Sequence, residues 1–204
     1  MKSSTAEILP IIGTSMGGGF YVGRVRIGEQ AFALIVAPKA DGEHKDTIWI
    51  KGDKDLPGAK SYDDGLANTK AMAEAGSKLA QWALDLRIAD ADDWYLPAQD
   101  ELEVMYRNLK PTTRKNWCYA RSGINLSAVE PTRPYTPDFP VQTQADAFQA
   151  GGDQAFDEVY YWSSTQHAAY SDCAWCQDFD GGNQGSRDFI GNELRARAVR
   201  RLPI

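Results

Sequence analysis

Three cysteines and two histidines limit the metal and nucleophile chemistry open to this chain. Cys173 and Cys176 have the spacing of a zinc half-site, which Cys118 and His167 could complete as a tetrahedral set. In a strand, however, residues three apart leave on opposite faces, and no second Cys-x-x-Cys occurs, so the reading is thiols without zinc. The stretch Asp178-Phe179-Asp180-Gly181-Gly182-Asn183 alternates oxygen donors as a calcium loop does. Phe189 stands where an EF-hand-type loop needs its closing carboxylate, so a solvated turn is expected there. A nucleophilic Ser or Cys needs an oriented base beside it. His44 lies in a charged loop and His167 among polar and aromatic residues, which makes a triad improbable. The expectation is a chain with no catalytic residue, no metal and no cofactor.

Recognition chemistry remains. Residues 166–192 mix Tyr and Trp with Ser, Asn, Gln and Gly. The aromatics offer stiff contact area at low entropic cost, and the small polar residues offer adaptable hydrogen bonds, the mixture found in antibody paratopes. Strand-like phrases bracket this stretch at Tyr160–Thr165, Ala174–Phe179 and Leu194–Leu202.

The elements that must position such a surface read in order along the chain. Residues 1–19 form a candidate attachment arm, with the apolar run Ile8–Ile12 followed by a Gly17-Gly18-Gly19 hinge. Phe20–Ile27 and Ala31–Ala37 flank Gly28-Glu29 as a hairpin, and Thr47–Ile50 is a further strand. Met72, Ala75, Leu79, Trp82 and Leu86 recur at steps of three and four, predicting one amphipathic helix. A second helix follows Pro97, with Leu102, Met105, Tyr106 and Leu109 as its buried stripe and Asp100 and Glu101 in its first turn. Periodicity then collapses from Lys110 to Asp157, where Pro111, Pro131, Pro134, Pro137 and Pro140 account for half of the ten prolines. Connections this long inside a compact domain are functional or flexible. The order implies an α+β domain over residues 20–204 with its terminal strands side by side.

Composition excludes other classes. A net charge of −6 argues against a nucleic-acid footprint, which needs clustered Lys and Arg. No apolar stretch suggests membrane insertion, and the N-terminus lacks a signal-peptide pattern. Synthesis in a reducing cytosol, without disulfides, is the expectation.

Five motifs recur in one order: Asp93-Trp94-Tyr95-Leu96-Pro97 with Asp100-Glu101-Leu102, then Tyr161-Trp162-Ser163-Ser164-Thr165, then Ala174-Trp175 to Phe179 with Gly182, and finally Arg195 to Arg200. On these the chain resembles a family of phage and bacterial lectin-like domains named after the C-terminal region of a Legionella collagen-like adhesin. The resemblance implies a variant C-type lectin fold, with two helices, a small antiparallel sheet and long irregular loops, related to formylglycine-generating enzymes and to retroelement-diversified tail proteins. It implies a bacteriophage tail protein, located in the virion, that attaches to a bacterial surface receptor and to other tail proteins through the N-terminal arm. Such proteins are commonly homotrimers, although no heptad run here enforces three chains. The calcium-lectin triplets are missing, with Glu130-Pro131-Thr132 the nearest approach. In the resemblance Trp175 and Phe179 hold core positions. Cys176 and Asp178 then face outward and join His167, Tyr170, Asp172, Asn183 and Arg187 in one exposed ligand-binding patch. Strand alternation puts Arg197 on a face beside the core, where a charge is costly unless paired; Glu101 or Asp100, at the positively biased start of the second helix and inside a motif of the family, are the candidate partners, with Glu101 the expected salt bridge.

Overall fold

The computed structural model describes residues 10–204, without the side chains of residues 186 and 187. In chain order it contains β1 (Ser15–Met16), β2 (Gly19–Ile27), β3 (Gln30–Val36), α1 (Lys39–Gly42), β4 (Glu43–Thr47), α2 (Gly65–Glu74), α3 (Lys78–Asp85), α4 (Gln99–Leu109), β5 (Tyr160–Gln166), β6 (Cys173–Asp178), β7 (Gln184–Phe189), β8 (Leu194–Arg197) and β9 (Val199–Pro203). The strands form two sheets, β1-β2-β3-β9 and β4-β8-β5-β6-β7. The class is mixed α+β. Strand β9 pairs antiparallel with β3, so the last strand closes against the first hairpin. Only Ala198 separates the two sheets. It is fully buried and pinned from both sides, donating to the Gly42 carbonyl at 2.9 Å and accepting from the Ala37 amide at 3.0 Å.

Several boundaries differ from those the sequence suggests. The expected single helix over Met72–Leu86 is two. Gly76, at φ +95°, turns the chain, and Ser77 starts α3 by accepting from the Ala80 amide at 3.3 Å while donating to the Trp49 carbonyl at 2.6 Å. That is a glycine stop followed by a serine N-cap. The expected strand at Thr47–Ile50 ends at Thr47, and Trp49 and Ile50 drop into the core formed with α2, α3 and Trp162. The proposed hinge is a tight hairpin: Met16 pairs with Gly19, leaving Gly17 and Gly18 at φ +57° and +84° as the two turn residues. Ile12 and Met16 pack against the core. Residues 1–9 of the arm, including Ile8, lie outside the described residues.

Helix α4 is buried at every position but Asn108. Leu102, Met105, Tyr106 and Leu109 face the core shared with β2, β3 and Phe179. Its charged residues are buried too, and the irregular 110–145 region supplies partners to all of them but Glu101. Asp100 accepts from Arg121 and from the Ser127 hydroxyl, both at 2.6 Å, and the Asp100 carbonyl accepts from Asn125 at 2.8 Å. Glu103 is paired with Arg107 at 2.8 Å, and Arg107 also donates to the Gly123 carbonyl at 3.0 Å. The Lys110 ammonium donates to the Arg114 carbonyl, to Asn116 at 2.8 Å and to the Pro140 carbonyl at 3.2 Å. A buried charge left unpaired costs several kcal/mol, so these bonds fix the loop's path without periodic structure.

The expected Glu101–Arg197 salt bridge does not form. Glu101 accepts from the Tyr95 hydroxyl at 2.6 Å, the Ala98 amide at 2.8 Å and the Gly65 amide at 3.2 Å, so one carboxylate caps the starts of both α4 and α2. Backbone N–H groups at a helix start have no helical partner, which makes them the nearest donors for a carboxylate placed there. Arg197, fully buried, donates instead to the Ala37 carbonyl at 3.0 Å, the Gln154 carbonyl at 2.7 Å and the Gln154 amide oxygen at 3.0 Å. Its guanidinium lies 4.8 Å from the Phe156 ring centre and 4.0 Å from Glu43. Burial draws its pKa down to about 10, with Glu43 opposing, and it stays charged at neutral pH. Glu43, on β4 opposite Arg197, is the near charge because the strand register puts it there.

Two outcomes are expected. Arg197→Ala destabilises by about 3 to 5 kcal/mol, and a double-mutant cycle in chemical denaturation shows coupling of Arg197 to Glu43 but not to Glu101. Burial raises the Glu101 pKa from 4.5 to about 7, against the hydrogen bonds from Tyr95 and Ala98 that favour the ionised form. The native state therefore holds this proton to higher pH than the unfolded chain. Its contribution is complete below pH 4.5 and lost as pH rises to about 7, up to about 3 kcal/mol in all. Unfolding free energies measured from pH 4.5 to 7.5 should fall less steeply for Glu101→Gln than for the parent. Equal slopes would refute the assignment.

Candidate ligand-binding face

Sheet β5-β6-β7 carries most of the residues that the sequence assigns to recognition. Its middle strand, β6, is covered on both sides. Ala174 and Cys176 enter the core with Trp49, Trp162 and Ile190, while Phe179, just past β6, stacks on Phe156 at 3.9 Å on the α4 side. The expectation that Cys176 faces outward is thus corrected: it is 0% exposed, and its thiol donates to Asp188 at 2.9 Å. Burial, with Asp188 beside it, pushes this thiol's pKa well up, so the sulfur stays protonated. Alternation separates inside from outside only where one face of a strand is wet, and a central strand between two layers has no wet face.

The remaining predicted residues divide between the two ends of β6. At its start, Tyr170 is 43% exposed and His167 and Asp172 are half-buried. The His167 ring lies 4.8 Å from Tyr170 and 6.1 Å from Trp175, nearly parallel to the indole. Trp175 in turn meets Tyr62 edge-on at 5.6 Å, and the Arg121 guanidinium sits 4.3 Å over the Tyr62 ring while bound to Asp100. Rings and guanidinium form a stiff layer behind the exposed Tyr170.

At the far end, Asp178 and Asn183 are half-buried beside the turn into β7. Asp178 holds that turn through the amides of Asp180 at 3.0 Å and Gly181 at 2.9 Å, and Asn183 donates to the Tyr160 hydroxyl at 2.8 Å. The stretch Asp180–Asn192 contains β7 at its centre. Arg187 lies in that strand, and its side chain is outside the described residues. At a rise of about 3.3 Å per residue, Asp172 and Asp178 are about 20 Å apart, so the single expected patch is two clusters. A groove of about 520 Å³ adjoins the second and is lined by Lys115, Asn116, Trp117, Tyr160, Asp178, Gly181 and Asn183. Trp117, 52% exposed, and Tyr119, 72% exposed, stand at this end with ring centres 6.2 Å apart. Sequence reading missed both. Among the described residues no group of three or more His, Cys, Asp or Glu is placed to hold a metal ion.

The family described as the Lcl C-terminal domain matches residues 43–200. The chain belongs to that family. The match runs from the first residue of β4 into β9, and so takes in the second sheet, α2 to α4 and both ends of β6. Membership marks the chain as a lectin-like binding module. No curated protein matches it.

Thiol accessibility checks the placement of β6. Cys118 is exposed whereas Cys173 and Cys176 are buried. A water-soluble disulfide reagent should therefore label one thiol quickly in the native protein and the others only on unfolding. Loss of the fast phase in Cys118→Ser would confirm the assignment, and rapid labelling of Cys176 would overturn it.

Proposed function

We propose that this domain is a non-enzymatic binding module of a bacteriophage tail, attaching to a ligand on the bacterial surface. Membership of the Lcl C-terminal domain family supports the binding role. The observation that carries it is aromatic exposure at both ends of β6, with Tyr170 at one and Trp117 and Tyr119 at the other. Each stands beside polar side chains fixed by their own hydrogen bonds, so a partner would meet stiff apolar area with preset donors and acceptors. Exposed Tyr and Trp are the residues that dominate measured interfaces. The Cys176 thiol is buried and engaged with Asp188 at 2.9 Å, which favours this reading over an oxidase that would use Cys173 and Cys176 to hold copper.

Purified protein should attach to intact host cells. Tyr170→Ala should weaken attachment about tenfold, the loss typical of one interface aromatic, while leaving the melting temperature within error. Retention on purified tail proteins without any attachment to cells would support the alternative, a structural tail or baseplate component. Unchanged attachment after joint substitution of Tyr170, Asp178 and Arg187 would remove this face from consideration.

A further inference from the structure

Strand alternation turns Trp175, Gln177 and Phe179 toward α4, since Ala174 and Cys176 enter the core on the opposite side of β6. Helical spacing gives α4 a matching row, Gln99, Glu103 and Tyr106, at steps of four and three. The two rows run side by side. At one end the Gln99 backbone amide donates to the Thr165 hydroxyl on β5 at 3.0 Å, and at the other Tyr106 packs on Phe179 at 5.7 Å. Gln184 on β7 stands opposite Gln177 in the sheet register, which puts both side chains on the face toward α4.

Residues 121–125 cover this layer. Arg121 is bound to Asp100 at 2.6 Å, Asn125 donates to the Asp100 carbonyl at 2.8 Å, and the Ser122 hydroxyl accepts from the Gln184 backbone amide at 3.1 Å. Beneath the cover, Gln99 and Gln177 are 0% exposed, Gln184 6% and Trp175 7%. Six of their polar atoms have no hydrogen-bond partner among the described residues: both carboxamide atoms of Gln99 and of Gln184, the Gln177 oxygen and the Trp175 indole nitrogen. Arg121 adds an unpartnered Nη1, its guanidinium 5.7 Å from the Trp175 ring centre. Other buried indoles are satisfied, Trp49 by the Ser163 carbonyl and Trp162 by the Thr47 carbonyl, both at 2.8 Å.

A buried polar atom left without a partner costs more than a made hydrogen bond returns, so folded proteins hold few of them and satisfy clusters from within. The chemistry of these atoms restricts what can satisfy them. The indole N–H and the Arg121 nitrogen donate, the Gln177 oxygen accepts, and the Gln99 and Gln184 carboxamides do both. Such a mixture repels a bare cation through its donors and an anion through its oxygens. The one full charge nearby, on Arg121, is already met by Asp100. The guest must be small, neutral and able to donate and accept at once.

We infer that Gln99, Gln177, Gln184 and Trp175 form an internal hydration site, holding ordered water between α4 and strands β6 and β7 under residues 121–125. At about three hydrogen bonds per buried water, the six unpartnered atoms call for roughly two waters. These waters bond the inner side of the Trp175 indole, whose ring backs His167 and Tyr170. The aromatic layer at this end of β6 is then fixed by water beneath it as well as by Arg121 beside it. The inference stands independently of the binding role.

Nuclear magnetic resonance of the full chain, nitrogen-15-labelled, provides the test, with the other indoles as internal controls. The Trp175 indole proton and the side-chain amide protons of Gln99 and Gln184 should show cross-peaks to water of opposite sign in NOESY and ROESY spectra, the mark of water that tumbles with the protein. The Trp49 and Trp162 indoles, each bonded to a carbonyl, should show none. Because a serine hydroxyl can relay such a signal, a high-resolution crystal structure supplies the second readout. It should contain roughly two waters within hydrogen-bond distance of these four side chains. Absence of the opposite-sign cross-peaks at Trp175 would overturn the inference. So would a crystal structure in which the three glutamines turn to bond one another and the indole, or one that holds an ion or an organic molecule in their midst.

Discussion

The pairing of buried charge on α4 organises this domain. A helix covered on nearly all sides cannot leave Asp100, Glu103 and Arg107 without partners, nor Lys110 just past its end, and the chain meets that demand with the longest irregular stretch it has. Arg121, Ser127, Asn125, Gly123 and Asn116 are drawn inward by those side chains, and the residues between them are pushed out. Trp117 and Tyr119 are exposed because their neighbours on either side, Asn116 and Arg121, are tied to α4. The exposed aromatics are thus a product of how the helix is satisfied, and the groove inherits its rigidity from the same bonds.

Glu101 and Arg197 show two ways of keeping a charge inside. The carboxylate uses the free amides of two helix starts, a local solution that also locks α2 against α4. The guanidinium uses carbonyls from Ala37 and Gln154, a long-range solution that fastens the end of the irregular region to the junction between the sheets. Glu101 has no ion pair, and Arg197 adds to its carbonyl contacts only a long one, to Glu43 at 4.0 Å, which fits the small net gain such pairs give once desolvation is counted.

Much of this was legible in the sequence where periodicity or turn chemistry speaks. The β2–β3 hairpin, the strands β5 and β6, the terminal strands and the stripe of α4 follow from alternation, Gly28 and the spacing of Leu102, Met105, Tyr106 and Leu109. The break between α2 and α3 was signalled by Gly76-Ser77 but hidden by an apolar spacing that runs through it. Strand β7 was obscured because Gln184–Phe189 lacks the β-branched residues that mark strands. The burial of Cys176 and the proximity of Glu43 to Arg197 depend on which elements stack over which strand, and a one-dimensional pattern carries no such information. Of the candidate recognition residues, Tyr170, Asp178 and Asn183 were legible as polar or aromatic members of a non-helical stretch. Trp117 was not, since it lies among prolines where no period separates an exposed ring from a core one.

The single residue between β8 and β9 has a kinetic consequence. Pairing Val199 with Val36 closes a loop of about 160 residues, and the chain entropy lost in that closure is about 4 to 5 kcal/mol before any strand contact forms. Local hairpins can assemble early, but β3 keeps an open edge until β9 arrives. Because Ala198 leaves no slack, the arrival of β9 also sets β8 between β4 and β5. Completion of the first sheet and threading of the second are one event, so the two sheets form and melt as a single cooperative unit, with a barrier set by topology more than by the strength of any one contact.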